Sequence, residues 1–398
     1  MIMIEILFWL FIFLIFYAYL GYPLLLALLA VFLRKPVEKS DITPSVSLLI
    51  SAYNEEKVIK QKIENSLSLD YPKEKLEIVV ISDASTDRTN EIAGAYCSPR
   101  RICLRYDNTP LSQDGGVKLL VQPERMGKTA GLNQAVPMAT GEIIVFTDAN
   151  AMFRKDALRK LVRPFADKSI GFVSGVTEYI SKGNTGINEG MGIYSKLELF
   201  IKTKESRIGS VVGADGAIFA IRKNLYEHLH SDHINDFIIP IQIAKKGFRG
   251  IQEDEAVCLE ESASSSKGEF KRQTRIINRC IKGLVSEWTI LSPFKWKLFA
   301  LELFSHKVLK WLVPFLMVSV FFLNLLLMFH GIIYNIIFLC QLSFYLFVAV
   351  EILVEKNNVR VHLFSLPYQF CFLNYAILKG WISFIRGNVD TVWTPERG

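Results

Sequence analysis

The chain has 398 residues, 51% of them hydrophobic, with a mean hydropathy of +0.27 and a formal net charge of +7. A soluble enzyme of this length rarely averages above zero, and a modest charge without basic blocks interleaved with stacking aromatics excludes nucleic acid as a partner. The six cysteines (97, 103, 258, 280, 340, 371) form no CxxC pair and no metal-ligand spacing, so they read as reduced, mostly buried thiols.

Residues 1–33 carry a single charge, Glu5, and are long enough to cross a hydrocarbon core of about 30 Å. The acidic start and the long apolar run do not fit a cleaved signal peptide. The expectation is a retained transmembrane helix over 1–33. Arg34 and Lys35 follow it directly, which places the middle of the chain in the cytoplasm. The expected localisation is therefore an integral protein of the cell (inner) membrane with a cytoplasmic catalytic domain.

After a short linker (36–44) the pattern alternates between strand and helix. Apolar strands are expected at 46–53, 76–83, 117–123 and 142–150, with helices at 55–69, 86–96 and 128–139, the last interrupted at Pro137. Short buried strands alternating with helices predict an α/β domain with a parallel sheet covered on both faces, and ligands there bind beyond the carboxyl ends of the strands. Further on, 171–179, 216–223 and 256–261 read as strands, 236–247 as a helix stopped by Gly247, and 262–268 as a loop. Residues 269–288 form an amphipathic helix. Phe270, Ile277, Ile281, Leu284 and Trp288 share a stripe beside a basic face of Lys271, Arg275, Arg279 and Lys282, a pattern that suits the membrane interface. Three apolar stretches follow near 309–329, 332–354 and 361–384, preceded by Lys295, Lys297, His306 and Lys307 as a cytoplasmic flank. The expected domains are 45–262 (catalytic), 268–308 (interfacial helices), 309–384 (transmembrane) and 385–398 (tail). One anchor plus three later spans puts the C-terminus outside, whereas Arg386 and Arg397 favour the inside.

The chemistry lies at strand ends. Tyr53, Asn54 and Glu55 close the first strand, Asp83 the second, and Asp148 with Asn150 the fourth. Asp148 and Asn150 offer two oxygen ligands for Mg²⁺ or Mn²⁺, or cap the turn. Asp83 suits a nucleobase N–H, and Asp87 the cap of the next helix. Lys128 can reach a phosphate or stay a surface lysine, and Asp236 can act as a general base or cap its helix.

Taken together, SAYNEE, VVISDASTD, RMGKTAGLNQA, FTDAN, GADGAIFAIRK and ND-x10-GFRG occur in the order seen in family 2 glycosyltransferases of the GT-A fold, and the chain resembles their membrane-bound branch over about 46–260. The resemblance implies a Rossmann-like mixed sheet, a nucleotide-sugar donor (usually with UDP), a divalent metal and inversion by single displacement. By that likeness Asp83 contacts the base, Asp148 the metal and diphosphate, and Asp236 is the base. Tyr53, Asn54, Glu55 and Lys128 fall on the nucleotide side. Gly213, Asp215, Arg272 and Arg275 fall on the acceptor or diphosphate side. Two departures stand out. The D-x-D metal motif reads Asp148-Ala149-Asn150, and the Q-x-x-R-W of processive synthases reads Arg272-Gln273-Thr274-Arg275-Ile276. Ile276 cannot stack on a sugar as Trp does, which points to short-chain or single-sugar transfer. The expected acceptor is a glycan or lipid-linked glycan at the lipid bilayer. Alternatives are a lipid phosphate, with Lys202, Lys204 and Arg207 as candidate ligands, and an inactive scaffold. Four spans make a narrow bundle, so export would need partner proteins.

Overall fold

The computed structural model describes residues 1–97, 117–180, 186–261, 266–355 and 362–388. The N-terminal apolar run is helical throughout: α1 (Ile2–Phe16) and α2 (Tyr22–Phe32) are joined by a π-helical turn, Tyr17–Gly21. The catalytic sheet then comprises β1 (Val46–Ala52), β2 (Leu76–Ser82), β3 (Val117–Val121), β4 (Ile143–Asp148), β5 (Met152–Phe153), β6 (Ile170–Ile180), β7 (Phe219–Arg222) and β8 (Arg249–Glu261). Its order is β3-β2-β1-β4-β7-β6-β8-β5. The first four strands pair in parallel, as the alternating pattern predicts, but β7 runs antiparallel to both β4 and β6. The sheet is therefore mixed rather than purely parallel.

Alternate residues of the buried strands serve two cores. Leu48, Ile50, Ile78 and Val80 pack against α3 (Ile59–Leu67), α4 (Thr89–Gly94) and α6 (Ala157–Val162). Leu49, Val79, Ile81 and Phe146 pack against α5 (Lys128–Met138) and α8 (Asn235–Lys245) on the other face. Pro137 ends up inside α5 near its C-terminus and does not interrupt it. The stop expected at Gly247 is present, with a φ of 84° that favours glycine. The helix expected to begin at Glu55 starts four residues later, because Asn54 to Val58 form a turn.

One long element, α7 (Gly186–Ile208), has no counterpart among the expected elements. It docks the catalytic domain on the membrane helices through a buried ionic network. Glu198 binds His306 Nε2 at 2.8 Å, Lys307 at 3.2 Å and Lys310 at 2.6 Å, while Glu205 accepts from the Tyr22 hydroxyl and meets His306 Nδ1, each at 2.8 Å. His306 and Lys307 were expected as part of a cytoplasmic flank. They close this network, because α7 supplies the carboxylates that compensate their burial.

The helices that follow are α9 (Ser266–Ser286), α10 (Pro293–Leu303), α11 (Leu309–Leu327), α12 (Ile332–Glu355) and α13 (His362–Ile385). Protein covers most of the stripe of the amphipathic α9. Ile281 and Leu284 join the core under the sheet, Ile277 meets Gly380, and Phe270 packs on Phe372 and Tyr375 of α13. Part of its basic face meets protein as well. Arg279 is buried, and Lys282 pairs with Asp232 at 2.6 Å. Trp288, 68% exposed, is the one member of the stripe left open. The contacts Phe270–Phe372, Ile277–Gly380 and Asn278–Asn388 advance together along both helices, so α9 and α13 run in the same direction.

Among the described residues, three stretches are long and apolar enough to cross a membrane: Ile2–Phe32, Pro293–Leu327 and Ile332–Leu353. α13 is not one of them. Of the five described cysteines, all free, only Cys258 and Cys280 are buried, and Cys340 is exposed on α12. Cys103, Arg397 and most of the loop expected at 262–268 lie outside the described residues.

Candidate active site

The strand ends expected to converge do so. Register places Ala52 beside Ser82 and Ser51 beside Asp148, so Tyr53, Asp83 and Asp148 stand on one rim. Asp83 Oδ1 accepts three hydrogen bonds, from Gln122 Nε2 (2.9 Å), Met126 N (2.9 Å) and Gly127 N (3.0 Å). That oxygen organises the loop before α5. The other faces Arg125, 4.0 Å away, whose guanidinium lies 3.6 Å over the Tyr53 ring. Gln122 and Arg125 escaped the sequence reading, although Arg125 opens the RMGK run.

Asn54 braces the neighbouring loop rather than reaching outward. Its backbone is left-handed (φ 51°), and its Oδ1 accepts from Thr86 N at 2.8 Å. Glu55 is buried, and its N–H donates to Thr89 Oγ1 at 2.8 Å. Asp87, expected as the cap of the next helix, lies one residue before its N-cap, Arg88, and folds the turn instead: Oδ1 accepts from Thr89 N at 2.9 Å and Oδ2 from Glu56 N at 3.0 Å.

Asp148 ends β4 and accepts from Lys128 Nζ at 2.6 Å, so the two residues expected on the phosphate side meet. Asn150 lies two residues on. β5 pairs antiparallel with β8, Met152 opposite Leu259, which carries Glu260 alongside this turn. Burial, followed by the charges of Asp148 and Asp215, pushes the Glu260 carboxyl up to about 7. In the sequence Glu260 looks like one more strand residue, and only the β5–β8 register reveals its place.

Beneath the turn lies Lys62, fully buried, which donates to Thr147 Oγ1 at 3.0 Å and to the Ala151 carbonyl and stands 4.2 Å from the Phe153 ring centre. Burial lowers its pKa to about 7. A lysine lowered this way binds more protons when unfolded, so it lends stability as pH rises from about 7 towards 10 and withdraws it as pH falls. Lys62→Met should abolish that slope in chemical denaturation while leaving the fold intact at neutral pH, since apolar replacement of a buried cation is often neutral. It should also weaken Mn²⁺ affinity about tenfold in calorimetry, because the turn bearing Asp148 and Asn150 loses its brace.

The residues fit a hard divalent cation, since Asp148, Asn150 and Glu260 present only oxygen donors. Among the described residues no group of three His, Cys, Asp or Glu side chains could hold an ion alone. Donor phosphate oxygens and water would have to complete the shell.

Across the rim, Asp236 sits in the first turn of α8, its carbonyl accepting from Ala214 N at 2.8 Å. Its side chain nests on Gly216, where a Cβ would stand 2.5 Å from Oδ2. Burial raises its pKa, with Lys128 and Lys202 pulling it down and Asp215 and Asp148 pushing it up. Asp215 holds its own loop, accepting from Thr177 N and Ala217 N, each at 3.1 Å. Gly213 leaves the base's neighbourhood open: the nearest atoms to a Cβ there are Asp236 O at 3.8 Å and Lys307 Cε at 4.0 Å.

Arg272 pairs with Glu269 at 2.9 Å on α9, and Arg275 lies one turn further along that helix. Another arginine, one the sequence had turned towards lipid, braces the site. Arg279 donates to the carbonyls of Asp232 (3.0 Å) and His233 and to Thr129 Oγ1 (3.1 Å), tying the segment before Asp236 to the start of α5.

Two family profiles match the chain, "Glycosyl transferase family 2" over residues 47–229 and "Glycosyl transferase family group 2" over residues 143–354. Similar curated proteins include a probable glycosyltransferase, YdaM, of Bacillus subtilis (30% identical over 193 residues, 47% of this chain and 42% of that one). Another is a beta-monoglucosyldiacylglycerol synthase of Nostoc (29% over 171 residues, 42% of this chain and 33% of that one). The chain thus spans less than half the length of these relatives. Among solved structures, a mannosyltransferase of Pyrobaculum calidifontis, determined with GDP-Man and Mn²⁺, shares the fold over 95% of this chain and 99% of that one, with a TM-score of 0.69 and 22% identity. The second profile covers more than half of the chain, and its carboxylate-bearing strand ends lie on a GT-A sheet: the chain belongs to the family 2 glycosyltransferases.

Proposed function

We propose that this enzyme transfers a sugar, with inversion, from a nucleoside diphosphate sugar to a hydroxyl of a lipid or lipid-linked glycan, at the face of the membrane that bears the catalytic domain. The observation that carries this reading is the single rim that brings together Asp83, Asp148 with Lys128, and, within reach of the charges of Lys128 and Asp148, Asp236.

The donor's base would lie against Tyr53 and the free oxygen of Asp83, taking the place that Arg125 now occupies over the ring. Lys128 would turn from Asp148 to the diphosphate. Asp148, Asn150 and Glu260 would hold Mg²⁺ or Mn²⁺ against the same phosphates, which offsets the charge that grows on the leaving group. Asp236 takes the proton from the acceptor hydroxyl as its oxygen attacks the anomeric carbon. The attack comes from the side opposite the departing nucleoside diphosphate, so the configuration inverts.

The base also speaks to the acceptor. A lipid phosphate is already ionised and needs no proton removed, so a buried carboxylate at the attacking side favours a hydroxyl nucleophile. The three cations considered for a phosphate acceptor are separated in the fold. Lys202 bears on Asp236, Lys204 stands over the Phe200 ring at 5.1 Å, and Arg207 lines a cavity elsewhere.

The test is transfer by the purified protein in lipid, with panels of UDP- and GDP-sugars, diacylglycerol and lipid-linked glycan acceptors, and Mn²⁺ or Mg²⁺. Asp148→Ala should abolish metal-dependent donor binding and reduce turnover at least a hundredfold. Donor binding that is unchanged by EDTA and by Asp148→Ala would overturn the assignment.

A further inference from the structure

A cavity of about 320 Å³ lies away from the rim, where the N-terminal anchor passes into the catalytic domain. It is lined by Arg34 and Lys35 from the anchor's exit and by Thr203 and Arg207 from α7, with the 251–255 segment of β8 as its floor. Its frame is fixed by backbone bonds. Lys35 N donates to the Arg207 carbonyl at 2.7 Å, and the Arg249 guanidinium donates to the carbonyls of Lys35 (3.3 Å) and Ser206 (3.2 Å).

The charges in this cavity do not cancel. Glu253 is held by Arg163 (2.9 Å) and Lys39 (2.8 Å), and Glu255 by Arg163 (2.6 Å) and Lys160 (2.7 Å). Asp254 accepts from the Thr203 hydroxyl at 3.1 Å. Arg34, Lys35 and Arg207 make no ion pair among the described residues. Three cations thus line a cavity with one carboxylate, Asp254, that has no lysine or arginine within bonding distance.

We propose that this cavity binds the phosphate of an anionic phospholipid headgroup. Depth and chemistry agree on the source. Arg34 follows the anchor by two residues, and Val31 and Phe32, 72% and 75% exposed, leave an apolar track beside it for acyl chains. Basic clusters at such an exit hold anionic lipids, and the guanidinium fork of Arg34 or Arg207 matches a phosphate. A headgroup seated there would bridge anchor and domain, and so fix how the catalytic rim is presented to the bilayer.

The proposal is tested with the full chain in phosphatidylcholine nanodiscs doped with phosphatidylglycerol. Native mass spectrometry and thermal unfolding are compared for wild type, R34Q/R207Q and the charge-matched control K60Q/K155Q. Wild type and the control should retain phosphatidylglycerol and melt at higher temperature as its fraction rises. R34Q/R207Q should bind it about thirtyfold more weakly, the worth of two basic residues at an anionic surface. An equal response of R34Q/R207Q and the control would overturn the site. The same stabilisation by glycerol 3-phosphate in neutral nanodiscs would overturn the lipid as its occupant. Donor hydrolysis at the rim, measured in parallel, reports on the catalytic reading independently of either result.

Discussion

Asp236→Asn is expected to reduce sugar transfer by about 10²- to 10⁴-fold, the range that a positioned general base supplies, while nucleotide and metal binding persist. The amide keeps the shape of the carboxylate on Gly216 but cannot take a proton. The pH profile separates this role from a structural one. With Asp236 as the base the active form would be the ionised carboxylate, so activity should rise with pH through the pKa of the group and be lost as pH falls below it. Burial raises that pKa above the ordinary aspartate range, so the acid limb of wild type should lie at higher pH than an exposed aspartate would give. Lys202 lowers it, so Lys202→Gln should move the limb further up, and the residual activity of Asp236→Asn should show no such limb. An unchanged limb in Asp236→Asn would assign the proton transfer elsewhere.

Gly216→Ala should be nearly as damaging without touching a polar atom. An added Cβ would stand 2.5 Å from Asp236 Oδ2 and 3.4 Å from Cγ. The loop cannot move away, because both oxygens of Asp215 and the Ala214–Asp236 backbone bond hold it. The carboxylate must therefore rotate off its position. A misplacement of about 1 Å costs about a hundredfold in rate. The backbone of Gly216 is not in the left-handed region, so stability should change by no more than about 1 kcal/mol. The double variant Gly216→Ala, Asp236→Asn should be no slower than Asp236→Asn alone, since both changes remove one function. A multiplicative loss in the double variant would show that Gly216 serves something other than the base.

These residues also mark where the sequence was readable. β1 to β4 and their carboxyl-end residues were legible because buried parallel strands are near-continuous apolar runs, and the polar residues ending them stand out. Asp83, Lys128, Asp148 and Asp236 could therefore be picked out as candidates by position along single elements. Glu260, Lys62 and Arg279 were not, because their importance comes from register and packing between elements far apart in the chain. Lys62 in particular sits on a helix whose pattern gives no sign that a lysine is buried. What covers α9 was illegible for a related reason: an apolar stripe beside a basic face looks the same whether lipid or protein covers it. α7 had no partner in the sequence reading because its carboxylates make sense only against His306, Lys307 and Lys310.

The parallel course of α9 and α13 reaches beyond packing. α13 is not among the described stretches long and apolar enough to cross a membrane, and Asn278 of α9 donates to Asn388 just past the end of α13. With three crossings the chain would return to the side from which the sheet is reached, and Arg386 would obey the charge rule that a fourth crossing would break. A fluorescent or enzymatic reporter fused behind α13 should then share a compartment with one inserted in the catalytic domain, and a protease added to that side of sealed vesicles should remove both.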